Sequence, residues 1–161
     1  MTHKYITISR IKMFVTSFLL ASFILIGLLD AISQGKMTYS SIMGMDVQRV
    51  YFYTFFLLVI GCWLLYNKYL SGIGFITLAT FSSYFVEYTL LHNYFASIVV
   101  YICLILDIII NKKYLWILPF LAFGIFQGFA FQIPQLSKYY VGSMEFLSLC
   151  LGSVFIVKNI K

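Results

Sequence analysis

The sequence predicts an all-α fold: a polytopic transmembrane helix bundle of six spans, forming a single integral membrane domain over residues 1–161. Three observations predict it. Hydrophobic residues fill 62% of the positions and charged residues only 10%, with a mean hydropathy of +0.96. A soluble domain typically carries about 25% charged residues. Six apolar runs each come close to the roughly 20 residues that a helix needs to cross a bilayer. Finally, lysines and arginines alternate between the connections in the manner of the positive-inside rule.

The runs are 11–31, 50–66, 70–90, 94–110, 114–131 and 139–157. The first follows a basic start, like a signal peptide, but its apolar stretch is long for one and only the weak "LDA" follows as a cleavage site. It reads as a retained span. The connection after it, "ISQGKMTYSSIMGMDVQR", is polar enough to leave the bilayer, and the other connections are short. With the N-terminus inside, the inner segments hold Lys4, Arg10, Lys12, Lys68, Lys112, Lys113, Lys158 and Lys161. The outer segments hold only Lys36, Arg49 and Lys138. This bias places both termini in the cytoplasm and the chain in the plasma (cytoplasmic) membrane. The segments "LLYNKYL" and "IIINKKYL" both set Asn-Lys ahead of Tyr-Leu at an inner turn, which is a generic polar turn with a tyrosine at the headgroups. Tyrosines at other span ends, such as Tyr51, Tyr94 and Tyr139, form the same interfacial belt.

Several chemistries are excluded. The net charge of +6 is scattered singly between apolar runs, so there is no basic stripe for nucleic acid. Cys62, Cys103 and Cys150 each stand alone in such a run, without redox or metal spacing. His3 and His92 fall on opposite sides of the bilayer, which leaves no intramembrane haem ligand pair. Asp30 and Asp107 fall in opposite leaflets, which removes a two-aspartate protease. No glycine-rich phosphate loop or nucleophile elbow is present. Neither a metal nor a cofactor is expected.

The polar residues inside the runs carry what chemistry there is. A charge within a span costs about 2.5–3.5 kcal/mol on insertion scales and normally faces protein or a water-filled cavity. Glu87 sits about one turn from the outer end of the third span. Glu145 lies six residues beyond Tyr139, roughly 9 Å deep at 1.5 Å per residue. Asp107 is near the inner surface, where it can snorkel and pair with Lys112 or Lys113. On the third span Thr77, Thr80, Ser83 and Glu87 share a face; on the sixth Gly142, Glu145, Ser148 and Gly152 do the same. The fifth carries Gly124 and Gly128 as a GxxxG, with Gln127 beside it. Such stripes permit close helix approach and interhelical hydrogen bonds. They read either as packing seams or as the lining of an outward-opening polar pocket built from Glu145, Glu87, Gln127, Ser83 and Ser148, with Gln132 and Gln135 at its rim. His92 reads as an outer-turn residue.

The expected function is that of a small, non-catalytic integral membrane subunit or accessory protein. Its partners would be membrane lipids, another membrane protein or a second copy of itself, with a small-molecule ligand in the outer pocket. In span number, size and inner termini the chain resembles the substrate-binding membrane component of a vitamin or metal-ion importer. The resemblance is architectural and covers no motif: the small-residue repeat that would dock a coupling protein on the first helix is reduced here to Ser17 and Ala21. Two other classes stand beside this one, a redox or lipid-modifying enzyme subunit that moves protons through Glu145 and Glu87, and an immunity or resistance protein recognised through its outer loop. The topology has a direct check. A reporter fused after Lys161 is expected to read as cytoplasmic, and one inserted between Lys36 and Met45 as external; the opposite pair of readings would invert the bundle.

Overall fold

The computed structural model describes residues 2–35, 46–81 and 95–160, with side chains for all of these except 2–6, 97, 127, 130, 131 and 134–144. Every regular element among them is helical: α1 (Thr2–Gln34), α2 (Val47–Tyr66), α3 (Ser71–Thr80), α4 (Ser97–Ile110), a 3-10 turn (Tyr114–Trp116), α5 (Ile117–Gln132) and α6 (Pro134–Asn159). One helix falls in each of the six expected runs. Among the described residues, 7–34 and 47–66 are long and apolar enough to cross a bilayer, whereas 71–80, 98–110 and 114–126 are apolar but shorter. Residues 82–94, which hold Ser83, Glu87 and His92, lie outside the described set.

Two boundaries differ from expectation. Helix α1 begins at Thr2 rather than at Ile11. The expected loop between the fifth and sixth runs shrinks to the single extended residue Ile133, with φ −113° and ψ 105°, and α6 begins at Pro134. Proline suits the first turn of a helix because the N–H it lacks would have no helical partner there. The residue before it is driven to the extended region.

Local chemistry sets the other ends. Asp46, extended at φ −155° and ψ 162°, caps α2 by accepting the Arg49 N–H at 2.8 Å. That bond, together with the Arg49 guanidinium beside it, holds its carboxyl below the usual range. Helices α2 and α4 end in the same turn. After α2 the Tyr69 N–H reaches the Leu64 carbonyl at 2.9 Å and the Lys68 N–H reaches Leu65 at 2.8 Å. After α4, Lys113 reaches Ile108 at 3.0 Å and Lys112 reaches Ile109 at 2.9 Å. This is the Schellman pattern, which prefers glycine at the left-handed position. Here that position holds Lys68 (φ 66°) and Lys112 (φ 55°), at a cost of roughly 1–2 kcal/mol each. The shared "NK" of the two segments is thus a shared turn.

Contacts run from each helix to the next, and α6 returns to α1 to close the ring. The α1–α2 seam is antiparallel with a seven-residue step. Thr16 meets Trp63, Phe23 stacks on Phe56 at 5.8 Å, and Asp30 meets Arg49. Buried positions alternate in steps of three and four on both helices: Thr16, Leu20, Phe23 and Gly27 on α1, and Val50, Tyr53, Leu57, Ile60 and Leu64 on α2. That is the heptad periodicity of helices packed at a shallow angle. The central core takes one large side chain from nearly every helix, including Leu64, Phe75, Ile108, Phe120 and Phe155.

The closest backbone approach lies between α2, α3 and α4. A Cβ on Gly72 would sit 2.5 Å from the Gly61 carbonyl oxygen, and one on Gly74 would sit 2.8 Å from the Val100 Cα. By contrast, a Cβ at Gly128 would meet nothing within 4 Å, and one at Gly124 would touch only the Tyr101 ring at 3.8 Å. Replacing Gly72 by Ala is therefore expected to destabilise the bundle by about 1–3 kcal/mol. Gly128→Ala should be neutral or stabilising by up to about 1 kcal/mol, from helix propensity. Unfolding in mixed detergent–SDS micelles, followed by circular dichroism, measures both.

Candidate functional site

Among the described residues, three polar clusters link helices, beside the Thr16–Trp63 hydrogen bond of the α1–α2 seam. The first contains part of the site expected from sequence. Tyr101 projects from α4, and its hydroxyl lies 2.9 Å from the Ser148 hydroxyl on α6. Glu145, three residues earlier on the same face of α6, lies within electrostatic reach of Tyr101. The Tyr101 ring also covers Gly124 of α5. One turn further along α6, a Cβ on Gly152 would lie 3.5 Å from the Leu104 side chain of α4 and 3.9 Å from the Phe120 ring of α5. The stripe Glu145–Ser148–Gly152 therefore faces α4 and α5, and it grades from polar to apolar as it approaches the buried core.

Of the expected pocket residues, this places Glu145 and Ser148 together and adds Tyr101. Both residues of α6 are partly buried. Because α6 starts at Pro134, Glu145 is eleven residues into the helix rather than six from a start at Tyr139, about 16 Å along its axis. Gln127 lies on α5 one turn beyond Gly124, and Gly142 lies on α6; their side-chain surroundings are not among the described ones. Glu87 and Ser83 fall in 82–94. The described part of the α3 stripe turns inward on its own backbone: Thr77 donates to the Ile73 carbonyl at 2.8 Å and Thr80 to Ile76 at 2.9 Å. A hydroxyl bonded to its own preceding turn is satisfied without a partner helix.

The second cluster joins the C-terminal end of α1 to the start of α2. The Arg49 guanidinium donates to Asp30 through Nε at 3.0 Å and Nη2 at 3.3 Å, and to Asp46 through Nη1. Tyr53 donates its hydroxyl to Asp30 at 3.1 Å. The sequence shows Asp30, Asp46 and Arg49 as charges between the first two apolar runs; the pairing of Asp30 with Arg49 across 19 residues was not legible, because it depends on the α1–α2 register.

The third cluster overturns the expectation for Asp107. Its side chain does not reach the surface to pair with Lys112 or Lys113. It is 1% exposed and accepts the N–H of Leu70 at 2.7 Å through Oδ1 and that of Ser71 at 2.7 Å through Oδ2. It thereby caps the N-terminus of α3 from a different helix. A carboxylate at a helix N-terminus answers the free N–H groups and the positive end of the helix dipole. The nearby Tyr69, buried and beside the Asp107 charge, has its phenol pushed up to about 12, by burial first and the carboxylate second.

Chemically, the Tyr101–Ser148–Glu145 cluster offers two hydroxyls and a carboxyl, suited to hydrogen bonding a solute or holding a proton. Among the described residues no group of three His, Cys, Asp or Glu side chains is disposed to hold a metal. Asp107→Ala is expected to strip two buried donors of their acceptor and cost about 2–4 kcal/mol. Asp107→Asn, which keeps one carbonyl oxygen, should lose about half as much. Chemical unfolding in micelles separates the two. Comparison of the chain with protein-family models, with curated proteins and with solved structures found no match.

Proposed function

We propose that the chain is a six-span integral membrane protein, with both termini in the cytoplasm, that serves as a non-catalytic solute-binding or accessory subunit. Its solute would enter an outward-opening pocket floored by Glu145, Ser148 and Tyr101. Support for the bilayer comes from the surface. Large apolar side chains point outward on several helices, with Phe14 of α1 at 70% exposure, Phe55 of α2 at 67% and Phe129 of α5 at 64%. Water tolerates few contiguous patches of this kind, and lipid favours them. Most polar side chains of the seams are spent on their own or neighbouring helices, as intramembrane packing requires.

The observation that carries the pocket is the Tyr101–Ser148 hydrogen bond with Glu145 one turn away. Here three helices converge on a carboxylate-bearing face of α6 that is partly buried, and a carboxylate within a span is costly to keep without a role. The cluster holds donors and acceptors of both kinds but no activated nucleophile, which favours binding over covalent chemistry.

Native mass spectrometry of the protein, gently extracted from its own membrane, tests this. The wild type is expected to retain a small molecule, and Glu145→Gln to reduce its occupancy at least about tenfold while helix content is unchanged. That drop matches the loss of one charge-assisted hydrogen bond. A ligand that survives Glu145→Gln undiminished would sink the pocket. Turnover of a quinone or lipid that Glu145→Gln abolishes would replace a binding subunit with an enzyme.

A further inference from the structure

An apolar groove runs along the outside of the α1–α2 seam, and lysines stand at its foot. Val15 and Leu19 form one wall and Phe55, Val59, Cys62 and Tyr66 the other, around a volume of about 790 Å³. Trp63 also borders it, but its indole N–H is spent on the Thr16 hydroxyl at 2.8 Å, so it offers the groove only its ring. A ligand that fills such a groove must itself be apolar along its length, because any polar group placed there would go unpaired.

The register places the foot. Thr16 is level with Trp63. One turn earlier on α1 is Lys12, and one turn later on α2 is Asn67, the C-cap, so these two are level in turn. Lys12 shares the face of Val15 and Leu19 by three- and four-residue spacing. Lys68 follows Asn67 directly and is exposed. Its backbone sits at φ 66°, a position where glycine is the less strained residue. Strain held at a cationic residue is a pointer to use of that charge. The same strain recurs at Lys112. Asp107, five residues before Lys112, is bonded to Leu70 and Ser71, just after Lys68. The clamp thereby holds the two lysine turns at one end of the bundle.

A wholly apolar groove with two lysine positions beyond its Tyr66 end, by register, matches one kind of ligand, an acyl chain with an anion at its end. We propose that the chain binds one anionic phospholipid, with an acyl chain in the α1–α2 groove and the phosphate between Lys12 and Lys68. This rests on the membrane-spanning reading, with the Lys68 end at a leaflet surface. Lysine stems lie along apolar walls while their ammonium groups reach the headgroup level. A zwitterionic headgroup, which brings its own cation, gains less from the two lysines.

The test uses the full chain in detergent, offered equal amounts of phosphatidylglycerol and phosphatidylcholine with the same acyl chains, read by native mass spectrometry. The wild type is expected to retain phosphatidylglycerol about tenfold over phosphatidylcholine. The double variant Lys12→Gln, Lys68→Gln should bring that ratio close to one with helix content intact. Lys158→Gln, on α6 away from the groove, should leave the ratio as it was. Val59→Trp, which fills the groove, should remove both lipids; the lysine variants, at the exposed Lys68 and the partly buried Lys12, keep the test sound if that bulkier one misfolds. Equal retention of the two lipids by the wild type, or a preference untouched by the double lysine variant, overturns the site. A chain that stays monodisperse in water without detergent would instead overturn the membrane reading itself, so the two failures are distinguishable.

Discussion

At the start of α3 the Gly72 and Ile73 N–H groups reach the Tyr69 and Leu70 carbonyls, but those of Leu70 and Ser71 have no local acceptor. Leu70, at the cap position, is already helical at φ −66° and ψ −25° and supplies no side-chain acceptor. Ser71 is 1% exposed, so water does not answer them either. The carboxylate of Asp107 does, with two bonds of 2.7 Å from a helix more than thirty residues away in sequence. Unpaired buried backbone groups are costly, and this pair of bonds decides how the first and second halves of the chain meet. With α3 held against α4 at this end, Gly74 can approach Val100, and on the other side Gly72 and Gly61 can bring the α2 and α3 backbones together. The two lysine turns come to the same end for the same reason.

The α1–α2 seam uses a different device. Heptad-spaced apolar residues set the crossing, but apolar packing alone tolerates slippage along the axis. Polar links remove that freedom. Thr16 accepts from Trp63 while donating back to the Lys12 carbonyl at 2.7 Å, and fourteen residues on Asp30 takes the Arg49 guanidinium. Both fit only one register. The partial exposure of the second link limits its energetic weight, so its contribution is to specificity more than to stability. The register in turn aligns the groove and brings Lys12 level with the turn that bears Lys68.

Helix α6 closes the ring through a stripe that changes character along its length. Near the core, Gly152 lets Leu104 and Phe120 pack on it, and the Trp116 and Phe155 rings meet at 5.6 Å. Further from the core, Ser148 meets the Tyr101 hydroxyl, with Glu145 within electrostatic reach. The gradient follows burial: rings fill the face at the buried Gly152, and hydroxyls serve it at the partly buried Ser148 and Glu145.

The helical character of the described elements, and the shared face of Glu145, Ser148 and Gly152 on α6, were legible in the sequence, since each follows from composition and periodicity. The positions of true close approach were less legible. Gly124 and Gly128 have the familiar spacing yet admit side chains, while Gly61, Gly72 and Gly74 lie where backbones collide. Spacing along one helix reports a smooth face, and only the neighbour determines whether that face is used. Tyr101 was hidden for a similar reason, being one aromatic among many until α4 and α6 were set side by side. Asp107 shows the limit most clearly. Its sequence neighbourhood of Asn111, Lys112 and Lys113 suggests an ion pair at a surface, and local chemistry offers no hint of the two N–H groups it serves. Composition determined by itself that this chain is a set of apolar helices; only the tertiary structure decided which polar groups join them, because a hydrogen bond between helices depends on a register that no single helix encodes.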